Sequence, residues 1–287
     1  MKLTRFEATS GRFRLADHDP ADTNGVGNKA KAEQQLAESI GTMRELQERL
    51  YAQDRWSVLI VLQAMDAAGK DSTIKHVMSG LNPQGCEVYS FKAPSDEELD
   101  HDFLWRTSVR LPRRGHIGLF NRSYYEEVLV VRVHPEALAR EKLPSGLIRK
   151  RIWEERFEDI NNYELYLARN GTVVRKIFLH VSKEEQRRRF LARLEQPEKQ
   201  WKFSMHDVEE RKLWDKYMRA YEDAIRATST KHAPWYVVPA DHKWFSRLVV
   251  SRIIIEALEG LGLAFPVLDA AQNRELVRVK RALESER

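Results

Sequence analysis

The sequence predicts an α/β domain arranged as a three-layer sandwich, with a mainly parallel five-stranded sheet between helices and a helical lid. Three observations predict it. Five short apolar runs alternate with segments of helical period, the pattern of a parallel sheet covered on both faces. The first run, in "VLIVLQAMDAAGKDSTIKHV" (Val58 to Val77), enters a small-residue loop that ends in Gly69-Lys70 and opens a helix. A late arginine-rich helix breaks at a proline and then resumes, in "SKEEQRRRFLARLEQPEKQWKFS" (Ser182 to Ser204).

Each element has a local reason. Residues 1–28 read as an N-terminal extension, because "DHDPADTNGVGN" (Asp17 to Asn28) is turn-rich and has no period. Lys29 to Gln53 is helical, with Leu36, Ile40, Met43, Leu46 and Leu50 on one face. Ser57 to Gln63 is a buried strand, and Ile74 to Met78 belongs to the helix after it. "NPQG" (Asn82 to Gly85) turns the chain into a second strand, Cys86 to Phe91. Ser95 with Glu98 forms a capping box for a helix through Val109. "PRRG" (Pro112 to Gly115) leads to a third strand, Ile117 to Phe120, then a helix after "NRS" and a longer one from about Leu147 to Ala168. Gly171 stops that helix, and Val173 to Val181 is the fourth strand. Ser182 and Glu185 cap a helix through about Leu194. Asp207 to Ala227 is helical, Trp235 to Val238 is the fifth strand, and Phe245 to Leu258 is the last core helix. The reading is therefore a catalytic domain over 29–265 with its lid at about 183–215, and a polar, peripheral tail at 266–287.

Composition narrows the function. The 287 residues suit one large domain, and a 42% hydrophobic content supplies a core for it. No apolar run reaches membrane-spanning length, and "MKLTRFEATSGRFRL" lacks the apolar region of a signal peptide. No membrane association and a cytoplasmic setting are expected. A single cysteine, Cys86, excludes an internal disulfide and a cysteine-based zinc cage, and the nine histidines show no metal-ligand spacing. A net charge of +5 and a pI near 9.2 suit a polyanionic partner. Charged residues of both signs make up 32% of the chain, so the basic excess is moderate. No RRM, KH or helix-turn-helix signature accompanies it, and nucleic acid is not the expected partner.

The chemistry concentrates in three places. In the loop after the first strand, Ala64 and Asp71 replace the first glycine and the final Ser or Thr of the G-x-x-x-x-G-K-[ST] pattern. Ala67, Ala68 and Gly69 let backbone approach phosphate oxygens, Lys70 adds a point charge, and the helix N-terminus attracts anions. Ser72 and Lys75 complete the expected phosphate-binding set. Asp66 would repel phosphate unless a cation or proton lies between, so it either holds Mg²⁺ or orients a nucleophile. Asp71 is either a magnesium ligand or a carboxylate favoured by the helix dipole.

The second place, "IGLFNRSYYEEV" (Ile117 to Val128), follows a strand and so puts Asn121 and Arg122 at the same sheet edge. Arg122 is suited to clamp a phosphoryl group. Glu126 lies about one helical turn further on, while Glu127 is expected to point away as a solvated surface acid. The third place is the lid, where Arg189 and Arg193 share a helix face and Arg188, Lys199 and Lys202 add charge. Arginine-bearing lids of this kind close over phosphates in nucleotide kinases.

Four motifs in order, "DAAGKDS" (Asp66 to Ser72), "FNRSYYEEVLVVRVHP" (Phe120 to Pro135), "WKFS" (Trp201 to Ser204) and "APWYVVPADHKW" (Ala233 to Trp244), resemble the family-2 polyphosphate kinases over roughly Lys29 to Gly260. The resemblance implies a P-loop kinase-like fold and phosphoryl transfer between inorganic polyphosphate and nucleotides. It implies Mg²⁺, with Mn²⁺ as an alternative ion, and a homodimer or homotetramer. Asp66, Lys70 and Arg122 match family positions, as does the lid region of Arg188, Arg189 and Arg193. Asn121 stands where many members carry Asp, which removes one acidic metal ligand. Asn121 with Glu126 is similar to the subgroup that phosphorylates both mono- and diphosphates, so AMP and ADP, and by extension GMP and GDP, are the implied acceptors. The rival readings are an ATP-dependent nucleotide kinase and a nucleic-acid-binding protein of P-loop-like fold.

Overall fold

The computed structural model describes residues 1–9, 11–201 and 204–286. The helix α1 (Lys29–Gln53) comes first, capped by the Asn28 side chain accepting from the Lys31 amide. Its buried face runs Ala32, Leu36, Met43, Gln47 and Leu50, and Ile40 and Leu46 are partly buried beside it. Then follow β1 (Ser57–Ala64), α2 (Lys70–Val77), β2 (Cys86–Ser90), two single turns α3 (Asp96–Leu99) and α4 (Trp105–Ser108), and β3 (Ile117–Asn121). Next come α5 (Glu126–Val133), α6 (Pro135–Leu138), α7 (Ile152–Arg169), β4 (Thr172–His180), α8 (Lys183–Glu195) and α9 (Pro197–Gln200). The chain closes with α10 (Met205–Lys212), α11 (Trp214–Thr228), β5 (Trp235–Pro239), α12 (Lys243–Glu259) and α13 (Ala270–Ser285).

The sheet is parallel throughout, in the order β2-β3-β1-β4-β5. Every residue of β1 is buried, which is why it reads as a continuous apolar run. One set of helices (α1, α2, α12) and another (α5, α7, α11) each pack together and against the strands, giving the three layers. From β1 the chain crosses toward β2, and from β4 it crosses toward β5, on opposite sides. The crevice between the carboxyl ends of β1 and β4 is therefore the topological switch point, where ligands bind in open α/β sheets.

Several boundaries differ from expectation. The capping box at Ser95 and Glu98 is present, but it opens one turn rather than a helix to Val109. Asp102 accepts from the Leu104 amide and His101 stacks on Trp105 at 3.9 Å, so the chain re-enters helix separately at α4. The helix expected from Leu147 begins at Ile152, and the one expected over Asp207 to Ala227 is α10 plus α11, broken at Leu213. The N-terminal segment packs into the main core through Leu3, Phe6, Ala8, Phe13 and Leu15. Its backbone bonds to β5, Ala8 N–H to Trp235 O and Val237 N–H to Phe6 O. The polar tail holds the capped helix α13, exposed along its whole length.

Candidate active site

The ends of β1 and its neighbour β3 carry the charged side chains of the site, and α8, which follows β4, closes on the β1 loop from the switch-point side. β1 ends at Ala64 and enters the loop 65–69. Adjacent in register, β3 ends at Asn121, paired with Leu62. The loop takes a left-handed conformation at Ala67 (φ 59°) and Gly69 (φ 110°), and left-handed residues in such loops are what builds anion-binding concavities of backbone N–H groups. Alanine tolerates that conformation poorly and glycine freely. Lys70 opens α2, and its Nζ donates to Ala64 O (2.8 Å) and Met65 O (3.4 Å) at the mouth of the loop. Burial pulls the ammonium pKa down, and Asp66 opposes that most strongly.

Arg122 also sits in the left-handed region, φ 64°, a conformation costing roughly 1–3 kcal/mol outside glycine. Its amide extends the ladder by one bond to Leu62 O, so the kink falls immediately past β3. The kink aims the guanidinium at the loop: Nη2 lies 3.0 Å from Asp66 Oδ1 and Nη1 lies 3.2 Å from Glu126 Oε2. Glu126, then Asp66, hold Arg122 even more firmly charged than usual, against the effect of burial. Beside this trio, Asn121 Nδ2 donates to Asp71 at 2.9 Å, while Asn121 Oδ1 is buried with no hydrogen-bond partner among the described residues. Tyr221, stacked on Phe178 at 4.2 Å, closes the floor; burial, then Glu126, raise its phenol pKa well above the ordinary range.

The lid helix α8 engages the loop directly, but not as expected. Arg189 is nearly buried and spends its donors on protein: Nε on Glu185, Nη1 on Ala67 O and Ala68 O, Nη2 on Ala240 O and Asp241 O. A guanidinium has five N–H groups, and here they meet protein oxygens and hold two loops together. Arg188 faces solvent and pairs with Glu185. Ser72 donates to Gly69 O rather than facing outward, and Lys75 is exposed one turn along α2. Arg193 pairs with Asp207 at 3.0 Å across the lid and lies over the Phe190 ring. Lys199 is exposed on α9, and Lys202 and Phe203 lie outside the described residues.

Sequence reasoning missed other members. Gln186 is buried and donates to Asp66 O at 2.9 Å; its spacing of three from Arg189 on the same helix was a usable signal. Lys243, inside the fourth motif, comes close to Gly69, where an added Cβ would meet its Cε at 3.7 Å. Burial, then Arg189, Arg247 and Lys199, pull the Lys243 pKa down, so cations crowd this side of the loop. Glu127 is the clearest correction. It is not a solvated acid but is buried between Arg106 (3.5 Å) and Arg156 (3.9 Å), and burial pushes its pKa up to about 7. It anchors α5 rather than serving the site.

No group of three or more His, Cys, Asp or Glu side chains able to cage a metal occurs among the described residues. Magnesium needs no such cage: it takes one or two carboxylates and draws the rest from phosphates and water. Asp66, Asp71 and Glu126, with the unpartnered Asn121 Oδ1, are hard oxygen donors suited to that share. The arrangement sets two fixed cations, Lys70 and Arg122, beside three carboxylates, a set whose chemistry suits a phosphate group together with a divalent ion.

Comparison with known proteins agrees. The family model described as polyphosphate kinase 2 matches residues 27–263. An ADP-polyphosphate phosphotransferase of Rhodopseudomonas palustris is 53% identical over 249 residues, covering 86% of each chain. An AMP/ADP-polyphosphate phosphotransferase of Meiothermus ruber is 47% identical over 268 residues, covering 93% of this chain and 96% of the relative. The crystal structure of polyphosphate kinase 2 from Arthrobacter aurescens TC1 superposes with a TM-score of 0.86 at 42% identity, covering 95% of each chain.

Proposed function

Because this chain belongs to the polyphosphate kinase 2 family, we propose that it transfers the terminal phosphoryl group of inorganic polyphosphate to AMP and ADP in one site, reversibly. In the forward direction an acceptor phosphate oxygen forms the new P–O bond. The bridging P–O bond of the polymer breaks, and the polymer leaves one unit shorter. GMP and GDP are secondary acceptors in this reading.

The observation that carries it is the join of the two strand-end loops, Lys70 on one side and the Asp66–Arg122–Glu126 chain on the other. Lys70 and Arg122 supply fixed positive charge where the transferred group spreads its negative charge, and such fixed charge does most to speed reactions of this kind. Asp66, with Asp71, Glu126 and the Asn121 carbonyl oxygen as neighbours, would hold Mg²⁺ or, in its place, Mn²⁺. The ion, when bound, shields phosphate charge from the carboxylates. Arg189 and Gln186 keep the loop carbonyls turned aside, and Arg193 meets the polymer from the lid. The single cysteine fits a reducing compartment, the cytoplasm. Among the described residues no helix is long and apolar enough to cross a membrane. A homodimer or homotetramer is part of the proposal, supported by the uncovered apolar side chains Leu276, Val279 and Leu283 of α13.

A donor–acceptor matrix tests the reading: polyphosphate or ATP against AMP, ADP, GMP and GDP. Transfer from polyphosphate to AMP and ADP is expected. Transfer from ATP alone would replace it with an ordinary nucleotide kinase.

A further inference from the structure

His134 ends α5 and is the histidine of "VLVVRVHP", a stretch not used by the chemistry above. Both of its ring nitrogens face carboxylates. Nδ1 lies 3.0 Å from Glu136 on α6, and Nε2 lies 3.0 Å from Glu210 on α10. Two carboxylate acceptors on one imidazole are satisfied together only when both nitrogens carry a proton, which is the cation. Glu210 is buried and also accepts from the Tyr217 hydroxyl of α11, whose ring lies 6.3 Å from that of His134. His206 approaches Glu210 at 3.8 Å, and Lys216 on α11 acts on Glu136. Two residues before His134, Arg132 pairs with Asp223 of α11 at 2.7 Å.

The contact matters because of what else α10 carries. Asp207 lies one turn before Glu210 and pairs with Arg193 of α8 at 3.0 Å. One helix thus links the lid arginine to a histidine on the core. Resting on the polyphosphate-transfer reading, we propose that His134 is a positioning residue that clasps α10 to the core through Glu210 and so sets Arg193 for the polymer.

Burial alone would lower the His134 pKa, but the hydrogen bonds to Glu210 and then Glu136 outweigh it, and the net direction is up. The clasp is therefore complete below the ordinary value of 6.5 and is lost as pH rises through the raised value.

The test has two arms. The first reads amide-exchange protection of residues 205–212 in the ligand-free protein from about pH 6 to about pH 9. Protection should fall about tenfold across that range in the wild type. It should be low throughout in His134→Gln and no longer pH-dependent in His134→Lys, which stays charged. Glu210→Gln, altered from the other side of the contact, should behave as His134→Gln. The second arm reads KM for polyphosphate, which should rise with pH in step with lost protection while kcat changes little, and should be flat in His134→Lys. Protection equal in wild type and His134→Gln at every pH overturns the clasp. Altered protection with an unchanged polyphosphate KM overturns the positioning role. A chain without transferase activity would fail the functional reading, and the exchange arm would still judge the clasp.

Discussion

Arg122 reaches from the end of β3 to within 3.0 Å of Asp66 in the loop after β1, so the two strand-end loops are joined by a charge pair before any substrate arrives. In the proposed reading, the pair explains how a carboxylate persists in a loop that meets phosphate. Asp66 is neutralised and aimed by Arg122, while Gln186 fixes its backbone carbonyl.

From this follows the first prediction. Asp66→Asn and Lys70→Ala should each reduce transfer by at least about 10³-fold. Circular dichroism should be unchanged, because Asp66 is only partly buried and the Lys70 ammonium bonds to two carbonyls at the mouth of the loop, Ala64 and Met65. Near-normal turnover of Asp66→Asn with Mg²⁺ present would remove its assigned role.

The two lid arginines should separate. Arg193 reaches across the lid, so Arg193→Ala should raise KM for polyphosphate about 10- to 100-fold, the range of one lost charge-assisted hydrogen bond. Arg189→Ala should instead lower thermal stability and kcat together, because four backbone carbonyls lose their donor. Ala67 and Ala68 would no longer be pinned to α8. Steady-state kinetics beside a melting curve distinguishes the two. Identical behaviour of both variants would contradict the division of labour.

The contrast between these arginines marks where sequence reading stops. β1, β3 and β5 were legible because burial on both faces leaves an apolar run, whereas β2, with no buried residue, was legible from the turn that precedes it. Asp66, Lys70, Asn121 and Arg122 were legible because each lies at or just past the carboxyl end of a strand and so falls at one sheet edge. What an arginine donates to was not legible. Arg189 bonds to backbone carbonyls, which carry no residue signature, and its spacing of four from Arg193 marks only a shared face. The same blindness hid Glu127, whose partners Arg106 and Arg156 are distant in sequence. In the N-terminal segment, composition did not show that Phe6 and Phe13, ahead of the turn-rich stretch, enter the core.

A third prediction concerns acid stability. His180, at the end of β4, is buried with Nδ1 unpartnered among the described residues. Burial, then His18, pull its pKa from 6.5 to about 4. The folded state thus binds fewer protons than the unfolded state between those values. The stability this neutral histidine permits is complete above about 6.5 and is lost as pH falls toward about 4. The upper bound is about 3 kcal/mol. His180→Gln, neutral at every pH, should therefore look worst against the wild type near neutrality and gain on it in acid. Thermal melts at the two ends of that window test this. A constant difference between the proteins would rule the histidine out.

The last prediction concerns the acceptor. A monophosphate is one phosphoryl unit shorter than a diphosphate, so for AMP to react its α-phosphate must occupy the place of the β-phosphate of ADP. Something must hold the shorter molecule that far in. Glu126 is placed for this: it is buried, bonded to Arg122 at 3.2 Å, and lies on the first turn of α5 beside Tyr221. A carboxylate there can bridge through a divalent ion to the displaced phosphate, whereas a neutral amide holds such an ion less well. Glu126→Asn should thus depress AMP phosphorylation at least about tenfold more than ADP phosphorylation, a difference of about 1.4 kcal/mol in transition-state binding. The measurement is the ratio of kcat/KM for the two acceptors with polyphosphate as donor. Equal losses on both would make Glu126 a general support for Arg122. A wild-type protein inert toward AMP would leave a diphosphate-only enzyme.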